Sequence, residues 1–308
     1  MQSIRTDLAM EAMEAFEGAG NEPLPGVSVS RWSEGGVDVT EVAVTENGAA
    51  QTLGKPKGTY LTLFTPLLRE RDPDARLAVS VLLSEEIERL LPQDRDTVLV
   101  IGLGNRSITP DALGPLAIDR TLATRHLLRG PYARQDLKSV CAVAPGVLGI
   151  TGVETLELVE GLVERIRPAA LICVDSLAAR DSARIGATVQ LTDTGIQPGA
   201  GVGNRRVPLT RDTLGVPVIG IGMPTVIYAA TLARDAIAWL GAEGGQMPGD
   251  EDLAAMERSL LGAEVGEMIV TPREVDALVQ DAAGIIASAV NRALQPGLSD
   301  EELLALMD

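Results

Sequence analysis

The feature that most constrains the fold is a repeated alternation between short apolar runs and segments with helical periodicity. The apolar runs cover residues 98–102, 140–144 and 170–174, and a helical segment at residues 154–166 separates the last two. Strand, helix and strand at this spacing indicate parallel pairing through right-handed crossovers. Such strands lie in an open sheet with helices on both faces. The sequence therefore predicts an α/β fold with an open, mostly parallel sheet.

Two segments that precede these runs predict additions to the sheet. Residues 27–44 alternate polar and apolar side chains around a turn at residues 33–36, which is typical of a β-hairpin. A further short strand is expected at residues 60–64. The sheet should therefore carry an N-terminal β-hairpin beside its parallel strands.

Two helices are predicted in the same N-terminal part of the chain. Residues 6–16 have an amphipathic pattern behind Thr6, a residue type that caps helices. Residues 72–91 also have helical periodicity and end at Pro92. The apolar face of this second helix is predicted to contain Leu77, Val81, Ile87 and Leu90.

The turn after the run at residues 98–102 predicts an acidic residue at a helix start. Thr109 suits the N-cap, Pro110 the first helical position and Asp111 the second. The helix is expected to continue to about Leu128. Because the helix dipole favours negative charge at the amino end, Asp111 is expected to be ionised. A carboxylate that merely begins a helix would show the same pattern, so that interpretation stays open.

A second acidic residue, Asp175, directly follows the apolar run at residues 170–174. The carboxyl ends of parallel strands form the ligand crevice of an open sheet, so Asp175 and Asp111 are expected at one edge. Two carboxyl groups that share one proton can divide the work, one accepting a proton from water and the other donating one. We predict such an acid–base pair, with Asp175 protonated at its more apolar strand tip. A capping role for Asp175 is the alternative.

A Gly- and Pro-rich segment at residues 192–204 predicts a long loop near the edge that carries the acidic pair. It follows residues 187–191, which alternate as a half-exposed strand. Arg205 and Arg206 come directly after the loop. No role is assigned to the two arginines or to the loop.

The last long helix is predicted to start with Thr271 as N-cap, because Pro272 and Glu274 then occupy their favoured first and third positions. A helix at residues 225–240 precedes it. The remaining predicted elements are a strand at residues 217–221, a flexible connector at residues 241–250 and a short helix at residues 299–307.

Charge and composition argue against several classes of protein. The 308 residues include 26 basic and 43 acidic ones, and a net charge of −17 does not suit a protein that coats nucleic acid or anionic lipid. No apolar run approaches the ~18 residues that a membrane span needs. Two Phe, two Trp and three Tyr make a base-stacking platform hard to build. Cys141 and Cys173 lie in apolar runs and are expected to be reduced core residues of a cytosolic protein.

Two other glycine-containing patterns carry weaker signals. Gly102 and Gly104 after a strand are typical of a dinucleotide-binding turn, but Ser107 stands where the third glycine belongs. Asp193 and Gly195 belong to the Asp-Thr-Gly triplet of pepsin-like proteases, which are all-β. Asp193 is therefore interpreted as a turn residue of the loop.

The single histidine, His126, is the basis of two further alternatives. A Ser or Cys nucleophile would need it as base, but the sequence has no Gly-x-Ser-x-Gly turn. A metal ion could bind His126 together with Asp111 and Asp175, although a single histidine is a weak basis for a zinc site.

Eight segments, in this order along the chain, carry a family resemblance. They cover residues 4–12, 100–115, 124–127, 143–155, 174–180, 193–204, 215–225 and 270–276. Together they resemble the germination protease family of spore-forming Gram-positive bacteria. The family's two catalytic aspartates match Asp111 in TPDALGP and Asp175 in VDSLAAR, the same residues that strand position selects as an acid–base pair.

The resemblance implies an aspartic-type endopeptidase of the forespore and spore core cytoplasm. At germination it would begin the degradation of small acid-soluble, DNA-protecting spore proteins. The implied fold is similar to the hydrogenase-maturation peptidases, without cofactor or resident metal, in a homo-oligomer expected to be a tetramer. The alternatives are a metal-dependent maturation peptidase that uses Asp111, Asp175 and His126, and a non-enzymatic nucleotide-binding module on Gly102 and Gly104.

The family is also made as a zymogen that cuts itself. Its cleavage sites have an acidic residue followed by a large apolar residue and alanine, and Asp7, Leu8 and Ala9 resemble that order. We therefore predict autocleavage between Asp7 and Leu8, with residues 1–7 as propeptide and residues 8–308 as a single α/β protease domain. The structural alternative is that Thr6 merely caps a helix.

Overall fold

The computed structural model describes most of the chain, including every predicted strand. The described residues are 6–18, 20–93, 96–128, 133–134, 136–199, 206–243, 265–266 and 268–306. The strands are β1 (Val27–Glu34), β2 (Val37–Val44), β3 (Gly58–Phe64), β4 (Thr97–Gly102), β5 (Ser139–Val143), β6 (Ala170–Ala179), β7 (Thr188–Thr192), β8 (Val218–Tyr228) and β9 (Ile269–Val270). The helices are α1 (Ala9–Gly18), α2 (Asn47–Leu53), α3 (Pro73–Leu90), α4 (Leu113–Asp119), α5 (Leu148–Thr151), α6 (Thr155–Ile166), α7 (Arg211–Leu214), α8 (Ala229–Glu243), α9 (Val275–Leu294) and α10 (Asp300–Ala305). Short 3₁₀ turns cover Pro66–Leu68, Thr109–Asp111, Arg125–Leu128 and Ser182–Arg184.

Within these residues the strands form one sheet in the order β1-β2-β3-β7-β8-β6-β4-β5, and β9 pairs with β8. The neighbours β8, β6, β4 and β5 pair in parallel. The neighbours β1, β2, β3 and β7 pair antiparallel in that order, as do β7 and β9 with β8. The predicted open α/β sheet and its N-terminal hairpin, β1 with β2, are therefore confirmed.

Helices cover both faces of the central strands. Successive strand residues point to opposite sides of the sheet, so alternate residues of β4 pack against different helices. On one face, Val98 and Val100 of β4 lie in a core that includes α3 and α9. On the other face, Leu99 and Ile101 share a core with Val159 of α6. Burial on both sides explains why β4 is a continuous apolar run in the sequence.

The predicted apolar face of α3 is wrong in part. Leu77 is 51% exposed, whereas Val79, Leu83 and Ile87 are fully buried. These three residues recur every fourth position and so form one ridge that packs in the core with α9. Leu77 lies two positions before Val79, about 200° around the helix, and therefore faces solvent.

Strands β6 to β8 differ from the prediction in length and burial. β6 continues past Val174 to Ala179, and β8 continues past Ile221 to Tyr228, because the two strands pair along this whole length. The predicted helix at residues 225–240 consequently begins at Ala229. β7, expected to be half-exposed, is buried throughout because it lies between β3 and β8.

Two predicted helix boundaries are also wrong. The helix after Asp111 ends at Asp119 and does not reach Leu128, because the Asn291 side chain binds the Arg120 carbonyl and the Leu122 N–H. These bonds replace helical hydrogen bonds.

The second wrong boundary is the start of α9. Thr271 does not cap this helix, since its hydroxyl donates to the Thr225 carbonyl at 2.8 Å, and Glu274 occupies the N-cap. The short helix α10 lies where residues 299–307 predicted it. Residues 200–204 of the predicted loop, Arg205 and residues 244–250 of the predicted connector lie outside the described residues.

Candidate active site

A cavity of about 800 Å³ opens where β4 ends and beside β6 and β8. Asp111 and Asp175 both line it, so the structure brings the two predicted acidic residues into one site. Asp7 lines the same cavity. The part of the Gly-rich loop that is described, including Gly195, also contributes to the wall.

Asp111 reaches the cavity from the 3₁₀ turn Thr109–Asp111, which packs closely on the end of β4. Gly104 has φ +111°, and a Cβ atom at this position would overlap the Asp111 carbonyl oxygen. The Asn105 N–H donates to Asp111 Oδ2 at 2.8 Å. Thr225 supports the turn from β8 by donating to the Pro110 carbonyl at 2.7 Å. Gly104 is therefore explained by the close approach of this turn.

Burial raises the pKa of Asp111, and the hydrogen bond from the Asn105 N–H partly offsets that rise. The predicted position of Asp111 in the helix is not observed. Asp111 ends the 3₁₀ turn, and α4 begins two residues later at Leu113. A local backbone N–H therefore stabilises the Asp111 carboxylate, rather than a place in the first turn of α4.

Asp175 lies inside β6, where its backbone is in register with Gly222 of β8. This position rules out the proposed cap and replaces the predicted strand tip. The residue is 6% exposed, and its Oδ1 accepts from the Ser176 N–H at 2.9 Å. Burial raises its pKa well above the usual range, and the charges of Asp111 and Asp7 raise it further. A pair that holds one proton, on Asp175, is the state that this arrangement favours.

Asp7, the residue before the predicted cut, lines the same cavity and is bound to β6. The Asp7 N–H donates to the Ala178 carbonyl at 2.9 Å, and Asp7 Oδ2 accepts from the Ala178 N–H at 2.8 Å. Leu8 is fully buried in an apolar cluster with α1, α2 and the hairpin. Thr6 does not cap α1, since its hydroxyl accepts from the Leu8 N–H before the helix begins at Ala9.

Two side chains at this site were not predicted from the sequence. Lys55 Nζ and Gln190 Nε2 both donate to the Asp7 carbonyl oxygen, at 2.8 and 3.0 Å. Gln190 could have been noticed as a polar residue between Val189 and Leu191 in a buried strand. Lys55, next to Pro56 in a connecting segment, carries no comparable signal.

The remaining candidates have other roles or lie elsewhere. His126 is not part of the cavity lining, so it does not join the acidic pair. Asp193 accepts from the Thr59 N–H at 2.8 Å and ties the loop to β3. Arg206 lines the cavity, and its Nη1 lies 3.6 Å from Glu154 Oε1. Among the described residues, no group of three His, Cys, Asp or Glu side chains could hold a metal ion.

The cysteines and the first glycine of the nucleotide pattern have structural explanations. Cys173 is buried in the core of β6 and Cys141 is half-buried in β5, and neither forms a disulfide. Gly102 lies against the Gly114 carbonyl of α4, where a Cβ atom would overlap the backbone. The spacing of Gly102 and Gly104 thus serves the contact between β4 and the segment that carries Asp111.

Gly104→Ala should displace Asp111 and lower any activity of this site by at least about 10-fold, since small misplacements of a reacting group carry large rate penalties. The reason is the overlap of the new Cβ with the Asp111 carbonyl, together with the unfavourable positive φ. Gly161→Ala in α6 is the matched control, because nothing lies within 4 Å of the added Cβ. The activities of the two folded variants test this. Equal activity would show that Asp111 does not depend on the approach at Gly104.

Comparisons with known proteins agree with one another. A family model described as germination protease matches residues 5–266. The germination protease of Caldanaerobacter subterraneus subsp. tengcongensis is 40% identical over 322 residues, covering 99% of this chain and 98% of that protein. The germination protease of Clostridium tetani is 41% identical, with 98% of both chains covered. That of Bacillus subtilis is 37% identical over 352 residues, with 97% of this chain and 95% of its own covered.

A solved structure was also found, the [NiFe] hydrogenase maturation protease HycI from Thermococcus kodakarensis. It covers 67% of this chain and 98% of its own, with 17% sequence identity and a TM-score of 0.32. At these values it adds nothing to the assignment of the site.

Proposed function

The chain belongs to the germination protease family and is a peptidase; from this premise we propose that it is an aspartic-type endopeptidase that starts the degradation of small acid-soluble, DNA-protecting spore proteins. The observation that carries the proposal is the placement of Asp111, Asp175 and the chain's own Asp7 in one cavity. Two acidic side chains thus meet a peptide segment of the kind that the family cuts.

In the proposed chemistry the two carboxyl groups have different protonation states and therefore different roles. Burial raises the pKa of both carboxyl groups, that of Asp175 well above its usual range, and the Asn105 N–H partly offsets the rise at Asp111. The shared proton is therefore assigned to Asp175 as donor, and Asp111 is the ionised member of the pair. Asp111 would then take a proton from the attacking water, and Asp175 would supply one to the leaving nitrogen. Burial excludes bulk water that would otherwise weaken these charge interactions.

We further propose that the chain is a zymogen that cuts between Asp7 and Leu8. The Asp7 carboxylate is held by the Ala178 N–H, and Leu8 fills an apolar cluster, which accounts for a preference for an acidic residue before a large apolar one. Glu11 of α1 accepts from the Arg180 and Asp181 N–H groups just after β6. This contact would hold α1 in place after residues 1–7 have left.

The partners and the compartment follow from the same proposal. The substrates would be spore proteins met in the cytoplasm of the forespore and spore core, and the active form a homo-oligomer, expected to be a tetramer. Direct nucleic-acid binding is not expected at a net charge of −17. In the part of the chain that the structure describes, none of the helices has both the length and the apolar character needed to span a bilayer.

The experiment that tests this function is incubation of the full chain with a purified small acid-soluble spore protein, with the products identified by mass. Cleavage after an acidic residue that precedes a large apolar residue and alanine supports the proposal. Failure of a folded, self-processed chain to cut any such protein would overturn it. The new amino terminus of the enzyme, read in the same spectrum, tests the proposed cut before Leu8.

A chelator separates this proposal from the metal-dependent alternative. The described residues do not assemble three metal-binding side chains, and His126 is outside the cavity lining. Dialysis against EDTA should therefore leave the cleavage rate within about 2-fold of the untreated enzyme. A loss of about 10-fold or more that added zinc restores would favour the metal peptidase, since metal catalysis accounts for several kcal/mol of barrier lowering.

A further inference from the structure

The carbonyl oxygen of Asp7 is held by two donors outside the acidic pair. Lys55 Nζ lies 2.8 Å from this oxygen, and Gln190 Nε2 lies 3.0 Å from it. The oxygen belongs to the Asp7–Leu8 peptide bond. Resting on the proposed function, in which this bond is cut, we infer that Lys55 and Gln190 form the oxyanion site of the protease.

The chemistry of the two donors fits the charge that hydrolysis creates. Attack on a peptide carbonyl places negative charge on its oxygen, and donors already aimed at that oxygen lower the barrier most. Lys55 contributes a full positive charge and Gln190 a neutral N–H donor. Both groups are within hydrogen-bonding distance before the reaction begins, so little rearrangement is needed.

The hydrogen bonds from Lys55 and Gln190 also limit the roles that remain for Asp111 and Asp175. A carbonyl oxygen has two lone pairs, and Lys55 and Gln190 occupy both. Neither Asp111 nor Asp175 therefore needs to donate to this oxygen. The protonated carboxyl is available for the leaving nitrogen, and the ionised one for the attacking water.

The reaction balances with one water molecule and no other reactant. Water adds to the Asp7 carbonyl carbon and gives a proton to the Asp111 carboxylate, while the C=O electron pair moves onto the oxygen held by Lys55 and Gln190. As that pair returns, the bond to the Leu8 nitrogen breaks, and Asp175 gives the nitrogen its proton. The products are a carboxyl group on Asp7 and an amine on Leu8, and the acidic pair again holds one proton.

Gln190 is held firmly in this role by the sheet and by the segment itself. It lies in buried β7, in register with Thr62 of β3 and Gly222 of β8. Its Oε1 accepts from the Ala9 N–H at 2.8 Å, which turns Nε2 towards the Asp7 carbonyl. The Gln190 amide therefore binds main-chain groups on both sides of the bond to be cut.

Lys55 likewise binds main-chain oxygens, those of Thr6 and Asp7. Because these contacts of Lys55 and Gln190 are made to main-chain atoms of the segment, they are open to any extended substrate in this position. The oxyanion site should therefore serve substrate proteins as well as self-cleavage.

The test uses the full chain and two substitutions of nearly unchanged size. Gln190→Glu keeps the oxygen that accepts from Ala9 and removes the amide donor, and Lys55→Met removes the ammonium. Each should lower the first-order rate of self-cleavage about 10²–10³-fold, the loss typical of one missing oxyanion donor. Lys55→Arg, which keeps the charge, should recover part of that loss. Lys57→Met, at an exposed lysine outside the cavity lining, should leave the rate unchanged.

A second measurement separates this role from simple anchoring of the segment. Amide hydrogen exchange at Ala9 is compared with and without each substitution in an Asp175→Asn background, where the chain should stay uncut. Slow cleavage with unchanged protection of Ala9 supports the oxyanion site. Normal cleavage rates, or slow cleavage with lost protection, overturn it. Failure of the wild-type chain to cut before Leu8 would overturn the proposed self-processing. Failure of the oxyanion site alone would instead leave the wild-type chain cutting normally.

Discussion

Asp175→Asn and Asp111→Asn should each lower the rate of substrate cleavage by about 10²–10⁴-fold, the usual contribution of a general acid or base. Asparagine keeps the size of the side chain but neither accepts a proton from water nor supplies one to the leaving nitrogen. Because the two residues act as a unit, the double variant should be little worse than either single one. The rates are measured on a purified small acid-soluble spore protein.

The matched control is Asp74→Asn, an exposed aspartate of α3 outside the cavity lining. It should cleave at the wild-type rate. Circular dichroism establishes that all variants are folded. Residual activity above about one tenth of wild type in either folded variant would contradict the roles given to Asp111 and Asp175.

The largest expected effect on stability comes from the same buried carboxyl. Asp175 has its pKa raised well above the usual range by burial and by the charges of Asp111 and Asp7. In the unfolded chain it ionises near ~3.9, whereas in the folded chain it keeps its proton to higher pH. Between these two values the folded state binds more protons, so the free energy of unfolding falls as pH rises.

Asp175→Asn removes this fall in the free energy of unfolding with rising pH, because asparagine does not titrate. The free energy of unfolding of the variant minus that of wild type should therefore be smallest below about pH 4 and should increase as pH rises through the folded-state pKa of Asp175. Urea denaturation of both proteins at several pH values measures this difference. Asp74→Asn, at an exposed position, should show no such increase. A difference that shrinks with rising pH would mean that Asp175 is stabilised as the ionised form.

Much of the sheet could be predicted because the central strands are buried on both faces. β4 extends from Thr97 to Gly102, close to the predicted run, and the hairpin of β1 and β2 matches its alternating pattern. The wrong boundaries share one cause, which is pairing or hydrogen bonding with distant residues. Asn291, for instance, binds the Leu122 N–H just after α4 and so prevents the helix from continuing, although the two residues are 169 positions apart. Local helix signals carry no information about such a contact.

The acidic pair could be predicted because strand order brings carboxyl ends together, and family resemblance selected the same residues. The sequence does not indicate the surroundings that set the individual pKa values. Asp175 is buried within β6 rather than at its tip, and Asp111 is stabilised by the Asn105 N–H rather than by a place in the first turn of α4. The contact of Lys55 and Gln190 with Asp7 joins three distant parts of the chain. Local sequence patterns therefore do not indicate this contact, although Gln190 alone stands out as a polar residue in a buried strand.

The most direct test of the account is the amino terminus of the full chain after self-processing, read by mass beside Asp175→Asn. The wild-type protein should lose residues 1–7 and begin at Leu8, and the variant should stay intact under the same conditions. A cut at another position, or equal processing of the folded Asp175→Asn chain, would contradict the proposal that the cavity of Asp111 and Asp175 cuts the segment it holds.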